Sequence, residues 1–107
     1  MIGKTVKVIV DRPLGSLHPK YKNMQYPINY GYVPETLAGD GMEQDVYIIG
    51  VDEPLESFEG TVIAVVRRRN DVEDKWVAAP MGVNFTKEEI WDKIKFQEQY
   101  FDSEIRM

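Results

Sequence analysis

Tyr26-Pro27-Ile28-Asn29-Tyr30-Gly31-Tyr32-Val33, followed after a short spacer by Asp40-Gly41-Met42-Glu43-Gln44-Asp45-Val46, is the stretch on which the fold turns. Its first part places Tyr, Ile, Tyr and Tyr around a glycine and reads as an irregular strand ending at Pro34. Gly39-Asp40-Gly41 is a turn signal. Val46-Tyr47-Ile48-Ile49-Gly50-Val51 is a near-continuous apolar run, hence a buried strand. Toward the N-terminus, Thr5-Val6-Lys7-Val8-Ile9-Val10 alternates with period two and is rich in β-branched residues, which predicts a strand. Asp11-Arg12-Pro13-Leu14-Gly15-Ser16 stops it, and the polar, basic region from Leu17 to Met24 is expected to be an exposed loop.

Toward the C-terminus, Asp52 to Gly60 reads as an acidic loop. Thr61-Val62-Ile63-Ala64-Val65-Val66-Arg67 carries the strongest strand signal in the chain. Asn70-Asp71 is a turn, and Lys75-Trp76-Val77-Ala78-Ala79 a returning strand stopped by Pro80, together a hairpin with an acidic, exposed tip. Thr86 followed three residues later by Glu89 is a capping box. It opens a helix whose apolar face is Ile90, Trp91, Ile94 and Tyr100 or Phe101, with its end near Tyr100. Several strands followed by one helix predict an α+β, mainly β fold, a small barrel with the C-terminal helix packed outside.

The length of 107 residues suits one domain over 1–107 with a single core. Hydrophobic content of 43% and charged content of 29% belong to an ordinary globular chain. The net charge of −5 argues against a general nucleic-acid binder, whose affinity comes mostly from neutralising phosphates. The chain has no cysteine, which excludes disulfides and thiolate metal sites. No apolar run approaches the roughly 20 residues of a membrane span. Met1-Ile2-Gly3-Lys4 lacks the apolar region of a signal peptide, so the expected location is cytoplasmic.

Two loops concentrate carboxylates: Asp40, Glu43 and Asp45 in one, Asp71, Glu73 and Asp74 in the other. Such groups repel unless cations neutralise them, and hard divalent ions prefer oxygen ligands of this kind. On spacing alone, solvated loop tips are the commoner outcome. Tyr26, Tyr30 and Tyr32 could each donate a hydroxyl to a phosphate oxygen while the ring packs; taken singly each is more often structural, and Tyr32 is assigned to the core. Arg67, Arg68 and Arg69 read as a solvated hairpin end, with at most two able to face one anion. Lys75, beside the second acidic cluster, is the better phosphate candidate. The lone His18 is expected to be a surface or structural residue.

Taken together, these segments resemble the signature of family I soluble inorganic pyrophosphatases: Tyr-Pro-x-Asn-Tyr-Gly-Tyr and, after a spacer of the same length, Asp-Gly-Asp-Pro-x-Asp-Val. Asp71-Val72-Glu73-Asp74-Lys75-Trp76-Val77-Ala78-Ala79-Pro80 resembles that family's next acidic hairpin, so the resemblance runs from Tyr26 to Pro80. It implies a five-stranded OB-like barrel with a polar site at its mouth, where Mg²⁺ (or Mn²⁺) ions hold pyrophosphate and activate a water. Carried over by position, the metal ligands are Asp40, Asp45, Asp71 and either Glu73 or Asp74. Substrate ligands are Lys75, Tyr30, Tyr26 and Tyr100, with Arg12, Lys20 and Lys22 as replacement phosphate ligands and Asp11 as a stand-in for an N-terminal acid, since the family's early strands have no counterpart here. A homo-oligomer is implied as well. Two positions depart from the signature. Its middle aspartate is Met42, a thioether that is a poor Mg²⁺ ligand and no proton acceptor, which leaves Asp45, Tyr30 and the adjacent Glu43 as candidates for the chemistry. The lysine expected after Tyr100 is Phe101. The sequence thus supports a Mg²⁺-dependent diphosphatase. Alternatives are a catalytically impaired relative serving as an anion-binding or assembly module, or a hydrolase of another phosphoanhydride or phosphoester.

Overall fold

The computed structural model describes residues 2–39, 41–71 and 73–107. Strand β1 (Thr5–Arg12) pairs antiparallel with β2 (Asn29–Val33), which pairs antiparallel with β3 (Gln44–Ile48). Strand β3 runs parallel to β5 (Asp74–Ala79), and β5 pairs antiparallel with β4 (Ser57–Arg68). The outer half of β4 returns to β1, Thr61 facing Thr5 and Ser57 facing Ile9, and this closes a five-stranded barrel of the expected OB-like kind. Helix α1 (Lys87–Glu98) packs outside, and β6 (Ser103–Arg106) adds to the far end of β4. Among the described residues, no helix is long and apolar enough to cross a membrane.

Period-two alternation gives each wall of the barrel two faces. Val6, Val8, Val46, Ile48, Val62, Trp76 and Ala78 form one buried cluster, the barrel interior. Tyr26, Ile28, Tyr30, Tyr47, Ile49, Val66, Val77 and Ala79 form a second with Ile90 and Ile94 of α1, between the outer wall and the helix. Burying each of these isoleucines stabilises the docked helix by about 1.5–3 kcal/mol. The capping box is present in both directions: Glu89 N donates to Thr86 Oγ1 at 3.1 Å and Thr86 N to Glu89 Oε1 at 2.9 Å.

Gly31 is needed where β1 and β2 approach: a Cβ there would lie 2.0 Å from the Ile9 carbonyl oxygen. Asn29 is buried and ties three segments together. Its Oδ1 accepts from Leu14 N at 2.9 Å and Leu55 N at 3.0 Å, and its Nδ2 donates to Glu53 O at 2.9 Å. The regular strand starts at Asn29 and not at Tyr26, because the Tyr26 backbone bonds a loop instead: its N donates to Ser16 O at 2.9 Å and its O accepts from Gly15 N at 2.8 Å.

Several expectations are corrected. Asp52 to Gly60 is not all loop, because Ser57 to Gly60 already belong to β4 and pair with β1. Helix α1 stops at Glu98, so Tyr100 lies in the turn beyond it. Tyr32 is only half-buried, while Tyr26 and Tyr30 join Tyr47 in the core. Arg67 and Arg69 do end the hairpin in solvent, but Arg68 is buried. The reason is a bulge between Val62 and Ala64, which inverts the alternation of β4. Before it, Val62 faces the barrel interior; after it, Ala64, Val66 and Arg68 face the helix side.

Candidate active site

A cleft of about 1030 Å³ opens where β1, β2, β3, β4 and β5 meet the C-terminal end of α1. Six of the predicted site residues line it: Arg12, Tyr26, Tyr30, Asp45, Lys75 and Tyr100. Asp11, His18 and Arg68 line it too. The residues gather on the outer wall under the helix end and not inside the barrel mouth, since Tyr30 shares the helix-side cluster and Asp45 and Lys75 have the same parity as Tyr47 and Val77.

At the cleft floor, Lys75 is 3% exposed. Its Nζ donates to Tyr30 Oη at 2.9 Å, to Asp45 Oδ2 at 2.5 Å, and to Glu73 Oε1. An ammonium has three donors, and all three are engaged here. Two carboxylates therefore lean on one cation. Burial raises the pKa of both acids. For Asp45 the hydrogen bonds from Glu73 and Lys75 outweigh burial and hold the carboxyl below its ordinary value. For Glu73 burial and the neighbouring Asp45 win, and the carboxyl is pushed up. Burial also drives the Tyr30 hydroxyl well above its ordinary pKa, with Asp45 adding to it, so the phenol keeps its proton as a donor.

Glu73 and Asp74 are placed differently. Glu73 reaches Lys75, whereas Asp74 opens β5 on the face opposite Lys75 and offers its carbonyl to Gln44 Nε2 at 2.7 Å. Asp71 stands at the hairpin tip, 3.7 Å from Arg68 Nη1. Glu43 is exposed and does not line the cleft. Asp40 lies outside the described residues. Met42 is 65% exposed. Tyr100 is 69% exposed at the rim, and Tyr26 Oη stands 3.4 Å from Gln97 Oε1 below it. His18 Nδ1 accepts from Lys20 N at 3.0 Å and Tyr21 N at 3.1 Å, which fixes its loop as the structural role requires.

Among the described residues, no group of three or more His, Cys, Asp or Glu side chains is placed to share a metal. The pair Asp45 and Glu73 nevertheless fits a hard cation in donor type. Mg²⁺ is usually held by one or two carboxylates, with waters and substrate oxygens completing its shell.

A second charged group was not legible in the sequence. Glu98, 0% exposed in the last turn of α1, accepts from Arg68 Nε at 3.1 Å, Arg68 Nη2 at 2.6 Å, Tyr47 Oη at 2.5 Å and Ser103 Oγ at 2.7 Å. Burial alone would raise the Glu98 carboxyl, but these bonds hold it below its ordinary 4.5. The Phe101 ring lies against the Arg68 guanidinium, 3.6 Å from its carbon to the ring centre.

Sequence and structure comparisons bear on this arrangement. A curated inorganic pyrophosphatase of Xylella fastidiosa (strain 9a5c) is 34% identical over 86 residues, 74% of this chain and 43% of the relative. One from Ralstonia nicotianae is 45% identical over 61 residues, 54% of this chain and 33% of the relative. The chain thus spans less than half the length of these curated relatives. The crystal structure of inorganic pyrophosphatase from Ehrlichia chaffeensis superposes with a TM-score of 0.72 at 21% identity, over 97% of this chain and 85% of that one. An inorganic pyrophosphatase from Neisseria gonorrhoeae gives 0.68 at 25% identity, over 92% and 74%. With the inorganic pyrophosphatase family model matching residues 2–103, nearly the whole barrel and its helix, the chain belongs to the inorganic pyrophosphatase family.

Proposed function

We propose that this protein hydrolyses inorganic pyrophosphate to two phosphates in the cleft floored by Asp45, Lys75 and Tyr30, with Glu73 against Lys75 beside it. The observation that carries the reading is the convergence of Asp45, Tyr30 and Lys75, from three strands, on one buried ammonium beside Arg12 and Arg68. In the reaction, water oxygen bonds to one phosphorus as the bridging P–O bond breaks. The bridging oxygen leaves on the second phosphate.

The chain's own groups serve this as follows. Arg12 and Lys75 bind the substrate's charge. Tyr30 and Tyr26, both held protonated by burial, donate to its oxygens. Asp45, held ionised, orients the attacking water. A divalent ion, Mg²⁺ or Mn²⁺, would be held by Asp45 and Glu73, with waters and substrate oxygens completing its shell. The family resemblance adds Asp40 and Asp71, of which Asp71 would join only if the hairpin tip moved, since no third carboxylate among the described residues is placed to share the ion. Asp74 is turned away. When bound, it supplies charge neutralisation and acidifies a water. Glu43 enters only if the Gly41–Glu43 bend moves toward the cleft. Tyr100 closes the rim over the bound anion.

A second reading, anion binding without turnover, is favoured by Met42 standing where the signature has its middle aspartate. The same proposal places the protein in the cytoplasm as a homo-oligomer, for which the unpaired edge of β6 offers one surface.

Phosphate release from pyrophosphate with Mg²⁺ or Mn²⁺ tests the reading. The wild type is expected to release phosphate, and Asp45→Asn to lose about a hundredfold or more. Absence of metal-dependent release from the wild type would exclude turnover and leave the binding module. A large gain in Met42→Asp would identify the wild type as a weakened enzyme.

A further inference from the structure

Arg68 is a buried cation that lines the cleft, and nothing in the signature assigns it a role. Its side chain is nearly sealed, yet it lines the cleft. A guanidinium carries five N–H donors on a rigid plane. One edge, Nε and Nη2, is clamped by Glu98 at 3.1 and 2.6 Å. One face is covered by Phe101 at 3.6 Å. The other edge is differently placed. Nη1 stands 3.7 Å from Asp71 Oδ2 and 3.8 Å from Glu73 Oε2, beyond hydrogen-bond length. Among the described residues, no buried side-chain nitrogen lacks a partner. Nη1 therefore keeps some solvent contact, between the Asp71 and Glu73 carboxylates, on a side chain that lines the cleft.

An arginine kept only to balance a buried carboxylate has no need of an edge turned to a cleft that already holds Lys75 and Arg12. We propose that Arg68 is an anion ligand of this site, donating from Nη1 to a phosphoryl oxygen, with Glu98 as the positioning residue that fixes the guanidinium plane. This rests on the phosphate-anion reading of the cleft and names a ligand that the reading lacked. A planar donor held on its opposite edge by a carboxylate is pre-oriented, so little side-chain freedom is lost when the anion arrives.

Calorimetric titration of imidodiphosphate, which resists hydrolysis, into the protein with Mg²⁺ present tests this. Arg68→Lys keeps the charge but not the fork. A double variant, Arg68→Met with Glu98→Gln, removes the buried pair together and so avoids stranding one charge. Both are expected to bind about tenfold more weakly or worse. A third measurement uses the wild type alone: the Arg68 Nη1–H resonances are expected to shift as inorganic phosphate is added. Wild-type affinity retained in either folded variant, or an unmoved resonance, overturns the role of Arg68 while leaving the hydrolase reading intact. A wild type that binds neither ligand overturns both. Affinity lost in the variants of a protein that releases no phosphate supports Arg68 and removes the hydrolase reading.

Discussion

Two carboxylate–cation groups lie side by side under the end of α1, and they are built differently. Around Glu98 one carboxylate receives four bonds, from Arg68 twice, Tyr47 and Ser103, so the carboxylate is satisfied and only Arg68 Nη1 has donors to spare. Around Lys75 the ratio is reversed: one ammonium serves two carboxylates and a phenol, and the carboxylates are partly open, with side-chain exposures of 28% for Asp45 and 17% for Glu73. The first group is satisfied at its carboxylate, as a structural network has to be when it is buried, and meets the cleft only through Arg68. The second is under-neutralised and faces the cleft, so an added cation or anion can alter its partners. The contrast separates what holds the site from what reacts in it.

The sharpest way to break the comparison is to remove one partner from the closed group. Glu98→Ala leaves the Arg68 charge buried without its carboxylate and frees Tyr47 and Ser103. A loss of about 3–5 kcal/mol of stability is expected, measured by urea unfolding. Asp45→Asn is the matching change in the open group. It should cost about a hundredfold in phosphate release, near 2.7 kcal/mol of transition-state stabilisation, while the urea midpoint moves little. If Asp45→Asn unfolds the protein as readily as Glu98→Ala, the two groups do not differ in kind.

The open group was largely readable from sequence and the closed one was not. Asp45, Tyr30 and Lys75 stand within ordered, closely spaced motifs, and strand parity brings them to one face. The capping box at Thr86 and the helix face of Ile90 and Ile94 were readable because capping and periodicity are local. Arg68 and Glu98 were hidden for two physical reasons. The bulge at Val62/Ala64 inverts the alternation, so a period-two count assigns Arg68 to the wrong face. Glu98 is a polar residue in a helix's last turn, where solvent exposure is the ordinary outcome, and only the tertiary meeting with Tyr47 and Arg68 buries it. Strand β6 is four residues long and carries too little pattern to be read alone. That Glu73 and not Asp74 reaches Lys75 likewise needed the starting register of β5.

The pH dependence of stability sharpens the same contrast, because the two groups have opposite signs. The Glu98 carboxyl is held below its ordinary 4.5 in the folded chain. The unfolded chain therefore binds more protons near that pH, and stability rises with pH there. Its contribution is complete above about 4.5 and is lost as pH falls through the folded value. The Glu73 carboxyl is pushed above 4.5, so the folded chain binds the extra proton, and that contribution fades as pH rises through the folded value. Urea midpoints followed from pH 7 downward are expected to lose their acid-side fall in part in Glu98→Gln. In Glu73→Gln the fall should steepen, because the opposing contribution is gone. Parallel curves for the two variants would mean that both carboxylates share one environment.

The smallest effect expected lies at the seam between the groups. Phe101 covers the Arg68 guanidinium but makes none of its hydrogen bonds. Phe101→Leu keeps an apolar side chain and removes the ring's electrostatic attraction, worth about 0.5–2 kcal/mol. Stability should drop by that amount or less, because the paired bonds to Glu98 still fix the plane. Imidodiphosphate affinity should change by only a few-fold, far less than in Arg68→Lys. An affinity loss as large as that of Arg68→Lys would mean that the ring, and not the buried carboxylate, sets the orientation of the guanidinium. The closed group would then extend into the cleft, and the boundary between support and site would have to be moved to the Phe101 side.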